Sequence, residues 1–161
     1  MANNSYRSFK TKNKMSPKTM LSLTIAALGF LSFIFLAGTG IVFVYNFTSN
    51  GVVGVTLGNV IWGGGNFAVG LCPGLVVAFF LTIAASLFVL GVSSFQYIAI
   101  ISMLMFIASG VLTLCAVPLC NASETLSMIG RGTAYLGWGG YAYGILNILC
   151  GVGCFFCTRG D

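Results

Sequence analysis

The chain has 161 residues, of which 58% are hydrophobic and only 6% charged, with a net charge of +5. A soluble domain carries about 25% charged residues, so this composition excludes an ordinary water-exposed surface and calls for lipid instead. Its length allows one domain.

The first 19 residues hold Arg7, Lys10, Lys12, Lys14 and Lys18, and no Asp, Glu, Lys, Arg or His follows until Glu124. Basic segments can bind nucleic acid, but no soluble module accompanies this one, and no nucleic-acid partner is expected. Beside an apolar run the cluster is a topological signal that holds the N-terminus in the cytosol. The apolar run from Met20 exceeds the about 7–15 residues of a signal-peptide core, so it is taken as a retained span.

A spanning helix needs about 20 apolar residues. Four stretches meet that length, at about 20–44, 72–92, 97–117 and 133–156 within a transmembrane domain of 20–157. Pro73 opens the second, where a helix tolerates proline. Pro118 closes the third. A tail, 158–161, returns to the cytosol with Arg159. The expected fold class is an all-α membrane protein, a four-helix transmembrane bundle with a small extracellular β-ribbon in its first outside loop. That ribbon is expected from Val52-Val53-Gly54-Val55-Thr56-Leu57 and Asn59-Val60-Ile61-Trp62, both β-branched and separated by glycine. Ser93-Ser94-Phe95-Gln96 makes the second and third helices a tight hairpin.

Asn46-Phe47-Thr48 and Asn121-Ala122-Ser123 are sequons in the two expected outside loops, so Asn46 and Asn121 are candidate glycosylation sites; Asn3 would face the cytosol. Six cysteines divide by side. Cys72 and Cys120 lie at the outer surface, where oxidation is permitted, and are expected to bridge; the alternatives are pairing through Cys115 or buried thiols serving as small apolar side chains. Cys150, Cys154 and Cys157 approach the inner face. Cys154 and Cys157 are candidate palmitoylation sites, with inert thiols as the competing reading. Their C-x-x-C spacing also occurs in redox enzymes, but the cytosolic boundary separates it from the outside cysteines. Gly140 and Gly144 form a G-x-x-x-G, the spacing by which membrane helices approach closely, within one bundle or between copies. Trp62 is the candidate contact residue of the outer loop. The spans carry no charge and the chain no histidine, so neither an acid–base set nor a metal site is expected, and no cofactor is called for.

Gly132-Thr133-Ala134-Tyr135-Leu136-Gly137-Trp138, the close Gly151-Val152-Gly153-Cys154-Phe155-Phe156-Cys157 and Ser109-Gly110-Val111-Leu112-Thr113-Leu114 resemble the third and fourth helices of claudins. The resemblance covers about the last third of the chain. Claudins carry a Trp, a Gly-Leu-Trp and two cysteines in their first loop; here only Trp62-Gly63-Gly64 and a single Cys72 correspond, and the basic residues around the middle helices are missing. The resemblance implies a claudin-like tetraspan at the plasma membrane, with lipids and other membrane proteins or further copies as partners. Its role would be structural or adhesive rather than enzymatic. An accessory subunit of a channel or receptor, or a small thiol-redox membrane enzyme, are the alternatives.

Overall fold

A computed structural model describes residues 16–45, 51–64, 71–92, 96–122 and 132–159. Four helical segments are long and apolar enough to cross a bilayer: Pro17–Ala37, Pro73–Leu90, Tyr97–Leu114 and Trp138–Thr158. Eighteen residues at 1.5 Å rise span about 27 Å, close to the hydrocarbon thickness.

The spans bury faces rich in small and hydroxyl side chains, with a few large ones such as Leu75, Phe106 and Tyr143, and turn many of their large apolar side chains outward. Helix α1 (Pro17–Leu31) buries Ser22, Ile25, Ala26 and Gly29, a three-and-four spacing. Helix α3 (Pro73–Leu90) buries Ala78, Thr82, Ala85 and Ser86 but exposes Val77, Phe80, Leu87 and Phe88. In water this arrangement would be inside out. In lipid the outer faces meet tails as apolar as themselves, and the helices associate by close packing and hydrogen bonds.

Helix α1 starts where Ser16 caps it, its Oγ accepting the Thr19 N–H at 3.2 Å, with Pro17 at the first helical position. The first span does not remain helical to residue 44. It tightens into a 3-10 turn at Ser32–Ala37 and then becomes strand β1 (Thr39–Tyr45). Twenty-one residues already suffice to cross. Gly38 and Gly40 then break the helix, and the β-branched run that follows suits a strand. Strand β2 (Gly51–Thr56) pairs antiparallel with β1, Val42 opposite Gly54. The segment expected to supply the ribbon's other strand is instead helix α2 (Leu57–Trp62). Thr56 redirects the chain there, its Oγ1 accepting the Asn59 N–H at 3.3 Å.

Helix α4 (Gln96–Leu114) runs antiparallel to α3 and stops earlier than 117. Pro118 has no N–H to give the Leu114 carbonyl four residues back, so the helix breaks at Cys115 and restarts as α5 (Ala116–Ala122). The last span begins at Trp138, not Thr133: Gly132–Leu136 is strand β3, paired antiparallel with β1, Ile41 opposite Leu136. Helix α6 follows (Trp138–Arg159). The sheet is thus three-stranded in the order β2-β1-β3, and it draws on the segments before the second and the fourth span rather than on one loop.

Helices α4 and α6 are the closest pair. A Cβ on Gly110 would lie 2.6 Å from the Gly144 carbonyl oxygen, and one on Gly151 would lie 3.1 Å from the Met103 carbonyl oxygen. Two apolar clusters fill the bundle. One joins Ile41, Val55, Leu57, Val60 and Ile61 to Leu75 and Tyr143 at the sheet end. The other gathers Ile25, Ala85, Val89, Ala99, Phe106 and Cys154 toward the end that carries Pro17 and Thr158.

Candidate functional site

Between the two clusters lies a layer of polar side chains from three spans. Thr82 of α3, Ser109 of α4, and Tyr143 and Asn147 of α6 are all 1% exposed or less. The Tyr143 hydroxyl donates to Thr82 Oγ1 at 2.9 Å. Thr82 Oγ1 lies 2.7 Å from Ser109 Oγ and 3.1 Å from Asn147 Oδ1. Asn147 Nδ2 donates to the Tyr143 carbonyl at 2.9 Å.

Thr82 has one hydroxyl proton, so it cannot serve every neighbouring acceptor at once. Donating it to Asn147 Oδ1 gives that amide oxygen its hydrogen bond and leaves Thr82 Oγ1 to accept from both Ser109 and Tyr143. Donating it to Ser109 would free the Ser109 proton for the Ala78 carbonyl, 2.7 Å away, but would strand Asn147 Oδ1. A buried amide oxygen with no donor costs about 1–3 kcal/mol, whereas the Ala78 carbonyl sits inside a helix that already supplies a donor. The first arrangement wins, and it makes Thr82 the hub to which both other helices attach.

Two neighbouring hydroxyls close on their own helices, Ser86 Oγ on the Thr82 carbonyl at 2.8 Å and Thr113 Oγ1 on the Ser109 carbonyl at 2.9 Å. Ser102 Oγ is buried and has no hydrogen-bond partner among the described residues.

The residues singled out in the sequence fall in three places. Cys72 and Cys120 are both 0% exposed in the sheet-end cluster, and their thiols share a hydrogen bond. That bond, then burial, then the charge a Cys72 thiolate would carry push the Cys120 thiol far above its ordinary value. Cys115, at the turn before α5, is exposed. Asn121 is exposed beside Cys120, and Asn46 lies outside the described residues. Trp62 is 46% exposed. Its ring meets Phe79 edge-on at 5.2 Å; Phe79 meets Phe33 at 5.1 Å, and Phe33 meets Tyr143 at 6.2 Å. A continuous run of aromatic rings thereby links helix α2 to the polar layer.

At the opposite end Cys154 and Cys157 are 0% and 2% exposed, turned into the bundle with Cys150. Acylation of either thiol would require that end of α6 to part from its neighbours. Gly144 faces α4, whereas Gly140 serves a different contact: a Cβ there would meet the Leu136 side chain at 2.6 Å and the Gly40 carbonyl oxygen at 3.2 Å. The small-residue face that α6 turns to α4 therefore comprises Gly144 and Gly151, seven residues apart, while Gly140 packs on the sheet end.

The polar layer was not singled out in the sequence. Its one visible signal is Asn147, an amide within an apolar span. Such a group must find partners inside the protein. Among the described residues no group of His, Cys, Asp or Glu side chains is arranged to hold a metal ion.

Fold and polar layer together define a multi-pass membrane protein, a four-helix bundle capped at one end by a three-stranded sheet. Neither the family models nor the curated proteins include a match to this chain.

Proposed function

We propose that the protein is a structural, adhesion-type membrane protein, claudin-like in plan, that makes protein–protein contacts through its sheet-bearing end. The termini lie in the cytosol and the sheet faces outward at the plasma membrane. The observation that carries this reading is how the sheet is joined to the bundle. Strand β1 continues the first span and β3 leads into the last, so the outer surface is held by two helices at once. That surface is preformed, which lowers the ordering cost of binding. It presents Val52, Trp62 and Tyr135, which are 66%, 46% and 58% exposed, and β2 and α2 contribute no charged residue. The interior supports the same reading, because the hydroxyls of the polar layer bond to one another as helix-to-helix ties. Cys154 and Cys157 lie inside the bundle at the end opposite the sheet, which favours this reading over a thiol-redox enzyme with its disulfide chemistry outside.

Two cell populations that express the full chain and carry different dyes should form mixed clusters. Val52→Asp combined with Trp62→Ala should abolish clustering without lowering surface expression, since both side chains are substantially exposed. Failure of the unaltered protein to cluster cells would sink the adhesive role.

The orientation has its own check. Epitope tags at both termini should resist protease on intact cells and be digested after permeabilisation. Digestion of either tag on intact cells would reverse the assignment of sides.

A further inference from the structure

Cys72 and Cys120 come from segments separated by the whole of α3 and α4, yet they meet inside one apolar cluster. Cys72 is the residue before α3, and Cys120 lies in α5. The two elements are in direct contact beside the thiols, where a Cβ on Gly74 would lie 3.2 Å from Leu119 Cδ1. Both cysteines are fully buried, and the one exposed cysteine nearby, Cys115, is absent from that cluster.

We propose that Cys72 and Cys120 form a disulfide that is made before the bundle closes and is then sealed from solvent, clamping α5 onto the first turn of α3. The inference rests on the outward placement of the sheet end proposed above, because only that side is oxidising. The oxidant is a protein or small-molecule disulfide of that compartment. One cysteine, as thiolate, attacks a sulfur of the oxidant and expels a thiolate, giving a mixed disulfide. The second cysteine, as thiolate, then attacks the protein sulfur of that mixed disulfide and expels the oxidant's other thiolate. The sulfur–sulfur bond forms as the oxidant's bond is lost. Two electrons pass to the oxidant, and the two cysteine protons end on its thiols. Attack needs a thiolate, and the packed site disfavours one: each thiol is buried and hydrogen-bonded to the other. Oxidation therefore belongs to the open chain, and the finished bond is out of reach of a reductant.

The clamp bears on the contact surface directly. Helix α5 packs on both α3 and β3. A bond from α5 to α3 therefore adds a third tie between the sheet and the bundle, beside its junctions with the first and last spans.

The test is thiol counting on the full chain in membranes. Cells are quenched with acid, the protein is denatured without reductant, and a polymer-bearing maleimide is added. The expected result is two fewer additions than after reduction, with a cross-linked Cys72–Cys120 peptide by mass spectrometry. Cys120→Ser should lose that peptide, and Cys115→Ser should keep it. Reductant applied to the native membranes should leave the bond intact, and the same reductant with denaturant should remove it. Labelling of all six cysteines without reductant would overturn the bond, as would a peptide pairing Cys115 in place of either partner. Rapid reduction in native membranes would overturn the sealed clamp. The terminal tags separate the two readings. If they are protected and all cysteines label, only the disulfide falls; if they are digested, the orientation falls with it.

Discussion

Gly110→Leu is expected to unfold the bundle or force α4 and α6 apart, at a cost of about 3 kcal/mol or more. Overpacking a tight interface typically costs about 1–3 kcal/mol when side chains can yield. Here they cannot, because the nearest atoms to a new Cβ include the Gly144 carbonyl oxygen at 2.6 Å and the Ile148 backbone nitrogen at 3.2 Å. Backbone must move, and the move breaks the packing on which membrane helices depend. Gly144→Leu should act in the same direction with a smaller effect, since the closest atoms there belong to the Leu114 side chain. Gly58→Ala is the control. Its Cβ would find only the Leu36 carbonyl oxygen at 3.4 Å and a side-chain atom at 4.0 Å, which is ordinary contact. Reversible unfolding in mixed micelles of rising denaturing-detergent fraction measures all three. A Gly110→Leu protein as stable as the Gly58→Ala protein would refute the seam.

Thr82→Val should destabilise the protein by about 1–3 kcal/mol, more than its loss of one oxygen suggests. The replacement has nearly the same shape, so the cost is electrical. It removes the Thr82 hydroxyl to which the Tyr143 hydroxyl, the Asn147 amide oxygen and Ser109 all bond, and leaves that buried layer short of a donor and an acceptor. Individual hydrogen bonds between membrane helices average about 0.6 kcal/mol and reach about 1.7 kcal/mol, so an effect above the upper value marks a hub rather than a single tie. Tyr143→Phe alone should cost about 1 kcal/mol. In the Thr82→Val background it should cost much less, because the bond it removes is already gone. A double-mutant cycle in the same micelles reads the coupling. Additive effects would mean that the two side chains act independently.

These two features differ in how far the sequence exposes them. The spans are legible because an uncharged run from Lys18 to Glu124 has no soluble explanation. Strand β1 is not, because hydrophobicity cannot separate a lipid-facing helix from a buried strand when one runs into the other. Gly38 and Gly40 are its only local marks. Its pairing with β3 depends on residues about ninety positions apart, a separation no periodicity records. The same holds for the polar layer. Thr82, Ser109 and Asn147 are each an isolated polar residue in an apolar helix, and only the crossing of three helices places them together. The neighbourhood of Cys72 and Cys120 is easier to anticipate, because each lies at the same end of two adjacent antiparallel spans. The opposite orientation of Cys154 and Cys157 into the bundle could not be read from a boundary position alone. Nor could the separate task of Gly140, which follows from β3 replacing the first turn of the expected helix.

The two junctions between helix and sheet have a mechanical consequence. A single residue, Gly38, separates the first span from β1, and a single residue, Gly137, separates β3 from α6. The junctions also touch: a Cβ on Gly139 would lie 2.9 Å from the Gly38 Cα, and the Gly137 N–H donates to the Gly40 carbonyl at 2.7 Å. With no slack in either connection, α6 cannot rotate about its axis without dragging β3 along β1. The sheet thus acts as a stiff crank on one end of the helical bundle. A twist of the sheet therefore bears on α6, and through α6 on the seam with α4 and the hydroxyl hub beside it. The same linkage works in reverse, so a change in the tilt of the spans would change the shape of the sheet.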